Sequence, residues 1–127
     1  MTVTCVWHSA DSTGLTVALL ENQVGLCVRG EADMTNVDAL REAIAALPAD
    51  AGEVRLELAE LRFIDVCCTR ELIALTRRRA RPRLILHQPP YSLTLLIRLL
   101  WPECGQLPAP SDGRTGDRAT VSIQAAR

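Results

Sequence analysis

The stretch Leu61-Arg62-Phe63-Ile64-Asp65-Val66-Cys67-Cys68-Thr69-Arg70-Glu71-Leu72 indicates the fold more clearly than any other part of the chain. Its apolar run ends at Asp65, and a helical pattern begins within about four residues. A buried strand leads into a helix in this way at one end of a sheet, where the unpaired N–H groups of the helix point outward. We therefore expect a functional contact at residues 65–69.

Strand and helix patterns alternate on both sides of this stretch. Alternating or short apolar runs predict strands, and apolar residues at helical spacing predict helices. The order indicates one α/β domain, a small mixed β-sheet of four to five strands with three or more helices packed against it and right-handed crossovers. We predict an edge strand within residues 1–7, a hairpin of residues 15–19 and 26–29, and strands at 54–58 and 83–86. The first helix is opened by Thr35 and Asp38 as a capping pair and ended by Pro48. A second helix is predicted at 69–79, and a third is opened by Pro89-Pro90.

Composition narrows the class of protein. The 127 residues suit one domain, and a hydrophobic share of 48% is enough for a core. A net charge of -1 and an aromatic share of 3% favour neither nucleic acid nor a membrane surface as partner. No apolar run approaches the roughly 20 residues that cross a bilayer. Because a secretory signal is absent and the five cysteines are an odd number, we expect free thiols and a cytoplasmic protein.

The C-terminal composition predicts a boundary. From Gln106 onward Pro, Gly, Ser, Asp and Arg dominate, and such segments bury too little apolar surface to offset the entropy of ordering. We therefore expect a domain at residues 1–105 and a flexible tail at residues 106–127. Deleting residues 108–127 should leave the melting temperature unchanged.

Three separated segments resemble one known family. Residues 26–33 look like a strand ending in Gly-Glu-x-Asp, and the strand to Leu58 followed by Phe63-Ile64-Asp65 looks like a central strand and its loop. Residues 84–90 and the leucine-rich helix after them resemble a variant common in actinobacterial members. In this order and spacing, over about residues 15 to 103, they resemble STAS domains, the anti-sigma factor antagonist family.

The resemblance implies a function without enzymatic activity, cofactor or metal. Such antagonists bind an anti-sigma factor, typically an ATPase-fold serine kinase, in the control of transcription or stress responses. The kinase phosphorylates a serine or threonine two residues past the loop aspartate, and this releases the partner. Carried over, Asp65 matches the aspartate, Cys67 occupies the phosphoacceptor position, Cys68 replaces a glycine, and Asp33 matches an acidic residue near the first helix.

The departures from the family pattern predict a partner-binding domain whose loop is degenerate as a switch. Cysteine has no hydroxyl for a serine/threonine kinase, and the freedom of glycine to adopt positive φ is lost at Cys68. Thr69 is the nearest hydroxyl, and the helix should hold it away from a kinase. We expect constitutive binding to an anti-sigma factor or related ATPase-fold serine kinase by a monomer or weak homodimer, through Asp65, Val66, Cys67, Cys68, Thr69 and Asp33.

Other interpretations remain open at this stage. Asp65 can be a helix cap and have no contact with a partner. Cys67 and Cys68 can be small loop residues or, since a helix N-terminus lowers a thiol pKa, the centre of a redox sensor. The arginines of residues 77–83 can form a solvated face or bind phosphate or nucleic acid. The apolar residues of 93–100 cover roughly 200° of a helix, more than the ~100° that a core-facing side needs, so this helix can also be an assembly surface.

Overall fold

The computed structural model describes residues 5–6, 11–12, 14–104 and 120–125. Within these ranges, the small mixed α/β sheet with three α-helices confirms the predicted fold class, although the sheet has eight strands because several are very short. The strands are β1 (Cys5–Val6), β2 (Asp11–Ser12), β3 (Leu15–Leu20), β4 (Gly25–Ala32), β5 (Glu53–Glu57), β6 (Leu61–Ile64), β7 (Arg83–His87) and β8 (Val121–Ile123), and the helices are α1 (Val37–Ala45), α2 (Val66–Thr76) and α3 (Tyr91–Leu100), followed by a 3-10 turn at Pro102–Cys104.

The sheet runs in the order β1-β3-β4-β5-β7-β8, with β2 also paired to β3 and β6 also paired to β4. The predicted hairpin is confirmed as the antiparallel pair β3–β4. β4, β5 and β7 are parallel neighbours, as is the pair β4–β6, so the carboxyl ends of these strands lie at one edge. The helices that follow β4, β6 and β7 therefore begin at that edge.

The long strand β4 pairs with two different strands along its length. Its first half pairs with β5 and its second half with β6, with a register shift at Gly30. Gly30 has φ 100°, and a Cβ there would lie 2.1 Å from the carbonyl oxygen of Gly14, so only glycine fits. The segment to Leu58 and the segment Phe63-Ile64-Asp65 looked like one central strand and its loop, but they belong to two strands, β5 and β6. The chain turns between them, and the Leu61 N–H donates to the Leu58 carbonyl over 3.1 Å.

One buried cluster joins the sheet to all three helices. Alternate residues of β5 and β7, such as Leu56 and Leu86, are buried. One face of α1 is buried through Val37, Ala39, Leu40 and Ala43. Arg78, just after α2, donates to the Ile44 carbonyl over 2.9 Å near the C-terminus of α1. An ion pair of 3.3 Å between Arg41 and Glu71 also links these two helices.

Two predicted helix starts are wrong. α1 begins at Val37 with Asn36 as its N-cap, because Thr35 bonds to Asp33 and does not cap the helix. α2 begins three residues earlier than expected, since Asp65 itself caps it.

The predicted flexible tail is wrong for β8. This strand pairs antiparallel with β7, and the side chains of Val121 and Ile123 are buried. The Gln124 N–H also donates to the Cys104 carbonyl over 2.8 Å. Three residues without a helical or long alternating pattern gave no local signal, because the strand exists only through its pairing with β7. Residues 106–119 and 126–127 of the predicted tail lie outside the described residues.

Candidate functional site

The two aspartates singled out in the sequence lie at neighbouring strand ends. Ala32 of β4 pairs with Ile64 of β6 in parallel register. The Asp65 N–H extends this pairing by donating to the Ala32 carbonyl over 3.0 Å. Asp33 and Asp65 therefore leave the same edge of the sheet, one into the β4–α1 junction (residues 32–37) and one into the β6–α2 junction (residues 64–69).

The β6–α2 junction is a capped helix start. The Asp65 carboxylate accepts the Cys68 N–H over 2.9 Å, which confirms the predicted cap. The Asp65 carbonyl accepts both the N–H of Thr69 over 3.0 Å and its hydroxyl over 2.8 Å. Since the negative charge of Asp65 also lies at the positive end of the helix dipole, this junction is fixed by several favourable terms at once.

The β4–α1 junction is a loop held by its own side chains. The Asp33 carboxylate accepts hydrogen bonds from the hydroxyl and the N–H of Thr35, and the first of these contributes most to lowering the pKa of Asp33. The buried Asn36 accepts the Asp33 N–H over 2.9 Å and donates to the Glu31 carbonyl over 3.0 Å. The carboxylate of Asp33 therefore does not cap α1.

Cys68 and Thr69 are fully buried, which limits their predicted role in partner binding. Their side chains cannot contact a partner directly in this conformation. The Cys68 thiol donates to the Asp33 carbonyl over 3.3 Å. Cys68 also has helical backbone, and among described non-glycine residues only Arg81 and Gln88 have positive φ, so the lost glycine causes no backbone strain.

The redox interpretation does not fit Cys68. Burial raises the pKa of its thiol to about 12, with Asp65 adding to the effect, whereas a reactive thiol needs a lowered pKa. Cys67, Cys68 and Cys104 carry free thiols. A redox role in this junction would therefore rest on Cys67 alone, which is half-buried and packs against the core.

Three exposed apolar residues lie within two positions of the aspartates in the sequence. Met34 is 73% exposed, Phe63 45% and Val66 40%. Met34 and Val66 each follow one of the two aspartates, and Phe63 lies one residue before the end of β6. Neither Met34 nor Phe63 was among the predicted contact residues, although for Met34 an apolar residue directly after the acidic strand end was the available signal. We call Asp33, Met34, Phe63, Asp65, Val66 and Cys67 the junction surface.

The junction surface combines two carboxylates with exposed apolar side chains. Neither carboxylate takes part in an ion pair within the described ranges. The same ranges hold no group of three His, Cys, Asp or Glu residues arranged for a metal. They also contain no helix long and apolar enough to span a bilayer. Contiguous exposed apolar surface often marks an interaction site.

The arginines of residues 77–83 lie outside the junction surface, and two of them have partners within the protein. Arg77 pairs with Glu103 over 3.0 Å, and Arg78 binds the end of α1. A cavity of about 310 Å³ is lined by Arg77, Arg81, Glu103, Cys104 and Ala125. None of these residues belongs to the junction surface.

A second exposed apolar area lies on α3. Only Leu93 and Ile97 of this helix are buried, whereas Tyr91, Leu99 and Leu100 are exposed. We call Tyr91, Leu99 and Leu100 the α3 surface. These exposed residues confirm that the apolar residues of α3 extend beyond the core-facing side. The α3 surface contains no carboxylate, unlike the junction surface.

Comparison with known proteins gives one match. The family described as "Mlab, STAS domain" matches residues 15–100, more than half of the chain, and this range includes both junctions and α3. Searches of curated proteins and of solved structures gave no significant match.

Proposed function

The chain belongs to the STAS domain family, and on this premise we propose that it is a regulatory protein-binding domain that acts by partner switching in the control of transcription or a stress response. Its partner is an anti-sigma factor or a related ATPase-fold serine kinase. STAS domains are generally regulatory and non-enzymatic, and the fold is of the kind found in anti-sigma factor antagonists. The junction surface carries the proposal, because it joins two carboxylates to three exposed apolar side chains.

The charges of the junction surface indicate the chemistry of the partner. The hydrogen bonds from Thr35 lower the pKa of Asp33, so this carboxyl stays ionised well into the acidic range. A partner that presents a basic side chain flanked by apolar ones fits this surface. Apolar contact by Met34 and Val66 supplies area, while the carboxylates select the orientation.

The same junction supports binding without a phosphorylation switch. Cys67, at the position that matches the family's phosphoacceptor, carries no hydroxyl. The nearest hydroxyl in α2, that of Thr69, is buried and donates to the Asp65 carbonyl. A kinase would have to unwind the start of α2 to reach it. Binding is therefore constitutive and set by the amount of the protein or by the state of its partner.

Matched charge insertions test the location of the contact. Met34→Glu and Val66→Glu each place a carboxylate on the junction surface, and both positions tolerate it because Met34 is exposed in a loop and Val66 lies in a helix first turn. Leu99→Glu makes the same change on the α3 surface, where the side chain is 65% exposed. The measurement is affinity capture from the native cells, with mass spectrometry to identify the bound protein.

We expect wild type and Leu99→Glu to capture an anti-sigma factor or ATPase-fold kinase, and the two junction variants to lose it. Circular dichroism confirms that each variant is folded. Capture retained by Met34→Glu and Val66→Glu but lost by Leu99→Glu would place the contact on α3 and overturn the proposal.

The α3 surface supports a second candidate, an assembly module. Leu99 and Leu100 are consecutive apolar residues that are both exposed, as the width of the apolar pattern predicted. In that case light scattering of the purified protein shows a concentration-dependent dimer that Leu99→Glu abolishes. A monomer at all concentrations would remove this candidate and leave the junction surface alone.

A further inference from the structure

We propose that Cys68, together with Asn36, is a positioning residue that holds the two strand-to-helix junctions as one preorganised surface. This inference rests on the proposed function, since positioning matters only if the junction surface binds a partner. It assigns a role to the cysteine that stands where the family pattern has glycine.

Cys68 is bonded to both aspartates at once. Its backbone N–H donates to the Asp65 carboxylate over 2.9 Å, and its thiol donates to the Asp33 carbonyl over 3.3 Å. Asp33 and Cys68 are 35 positions apart in the sequence. A glycine supplies the first of these bonds but has no side chain for the second. The thiol therefore creates a link between the junctions that the usual residue cannot make.

The thiol stays a donor under physiological conditions. Burial is the main cause that raises the pKa of Cys68 to about 12, and the carboxylates of Asp65 and Asp33 act in the same direction. The group therefore remains protonated near neutral pH and cannot become a thiolate that would repel the neighbouring acids. The property that excludes Cys68 from redox chemistry is the one that the link requires.

Asn36 also holds this loop. Its side-chain amide oxygen accepts the Asp33 N–H over 2.9 Å, and its backbone N–H donates to the Asp33 carbonyl over 3.1 Å. That carbonyl thus receives both Asn36 and the Cys68 thiol. Because the loop is ordered before a partner arrives, less conformational entropy is lost on binding.

Amide hydrogen exchange of the isolated protein reads the link directly. The reporters are the N–H groups of Asp33, Thr35 and Asn36, each bonded within the β4–α1 junction. The variants are Cys68→Ala, which removes the donor, and Cys68→Ser, which keeps one. Cys104→Ala is the matched control, because Cys104 is also a buried free cysteine but lies outside both junctions.

We expect Cys68→Ala to speed exchange at the three reporters by about 2- to 10-fold, the range of one net hydrogen bond, and Cys68→Ser to restore most of the protection. Cys104→Ala should leave the reporters unchanged relative to the rest of the chain. Unchanged exchange in Cys68→Ala, exchange that rises equally everywhere, or no rescue by Cys68→Ser would each overturn the proposal.

Partner affinity separates this proposal from the function on which it rests. We expect Cys68→Ala to bind the captured partner about 2- to 10-fold more weakly, with Cys68→Ser close to wild type. Altered exchange with unchanged affinity would mean that the link is structural only. Failure of the wild type to capture any anti-sigma factor or kinase would instead refute the proposed function, whatever the exchange rates show.

Discussion

The β6–α2 and β4–α1 junctions start from the same arrangement and end differently. In each, a buried residue at the end of a parallel strand is followed by an aspartate and then an exposed apolar residue. Asp65 becomes the cap of α2, whereas Asp33 bonds to Thr35 in its own loop and leaves α1 without a side-chain cap.

The difference separates stability from recognition. Asp65 stabilises a helix and so contributes to folding as well as to the surface charge. The Asp33 carboxylate makes only local hydrogen bonds, whereas its loop depends on the contacts of Asn36 and Cys68. The Asp65 carboxylate is thus tied to the fold, whereas the Asp33 carboxylate is the one that we propose a partner contacts.

The largest expected effect concerns β8, the last strand in the order of the sheet. Ile123 is buried on β8, so Ile123→Ala should lower the free energy of unfolding by about 2–5 kcal/mol. Ser122→Ala, the control on the same strand, changes an exposed side chain and should cost less than about 0.5 kcal/mol. Urea unfolding measures both. Equal, small effects would mean that residues 121–123 are dispensable, as the composition first indicated.

Alkaline pH tests the thiol that joins the junctions. The unfolded Cys68 thiol loses its proton near its ordinary pKa of 9.0, whereas the folded thiol keeps it until about pH 12. Its contribution to stability is therefore complete below pH 9 and declines as the pH rises, by at most about 1.4 kcal/mol per pH unit.

The comparison variant is Cys68→Ala, which should show a shallower loss of stability above pH 9 in urea titrations than wild type. The pKa of Cys104 is also raised by burial, so Cys104→Ala should flatten the curve in the same direction. Identical pH curves for wild type and Cys68→Ala would contradict a buried, protonated Cys68.

The smallest effect distinguishes the two aspartates directly. Asp65→Ala removes the α2 cap and should cost about 1 kcal/mol of stability. Asp33→Ala removes only loop hydrogen bonds and should cost less. Thermal unfolding monitored by circular dichroism compares the two. A greater loss in Asp33→Ala would mean that the β4–α1 loop, and not the cap, stabilises this edge of the sheet.

Sequence reasoning succeeded where the signal is local. The apolar run that ends at Asp65 identified the β6–α2 junction, and the paired prolines identified the start of α3. Both depend on a few consecutive residues whose backbone preferences agree. The family resemblance then placed both junctions in one fold, which the match to residues 15–100 confirms.

One failure is a competition between two local arrangements: the capping-box spacing of Thr35 and Asp38 was outweighed by the hydrogen bonds between Thr35 and Asp33. The other failures arise where distant contacts decide the outcome. β8 forms only because β7 offers an open edge. The burial of Cys68 depends on the packing of α2, and its bond to Asp33 spans 35 positions, so neither could be deduced from the spacing of residues in the loop.

The proposal that this domain binds its partner without a phosphoacceptor is tested most directly by mass spectrometry of protein isolated with its partner kinase. We predict no phosphate on Thr69 in the wild type, because its hydroxyl is buried. Cys67→Ser restores a hydroxyl at a half-buried position of the junction surface and should become phosphorylated. The added charge of about -1.5 to -2 beside Asp65 should then release the partner. Stoichiometric phosphate on Thr69 of the wild type would contradict the proposal and show that the switch lies further along the loop.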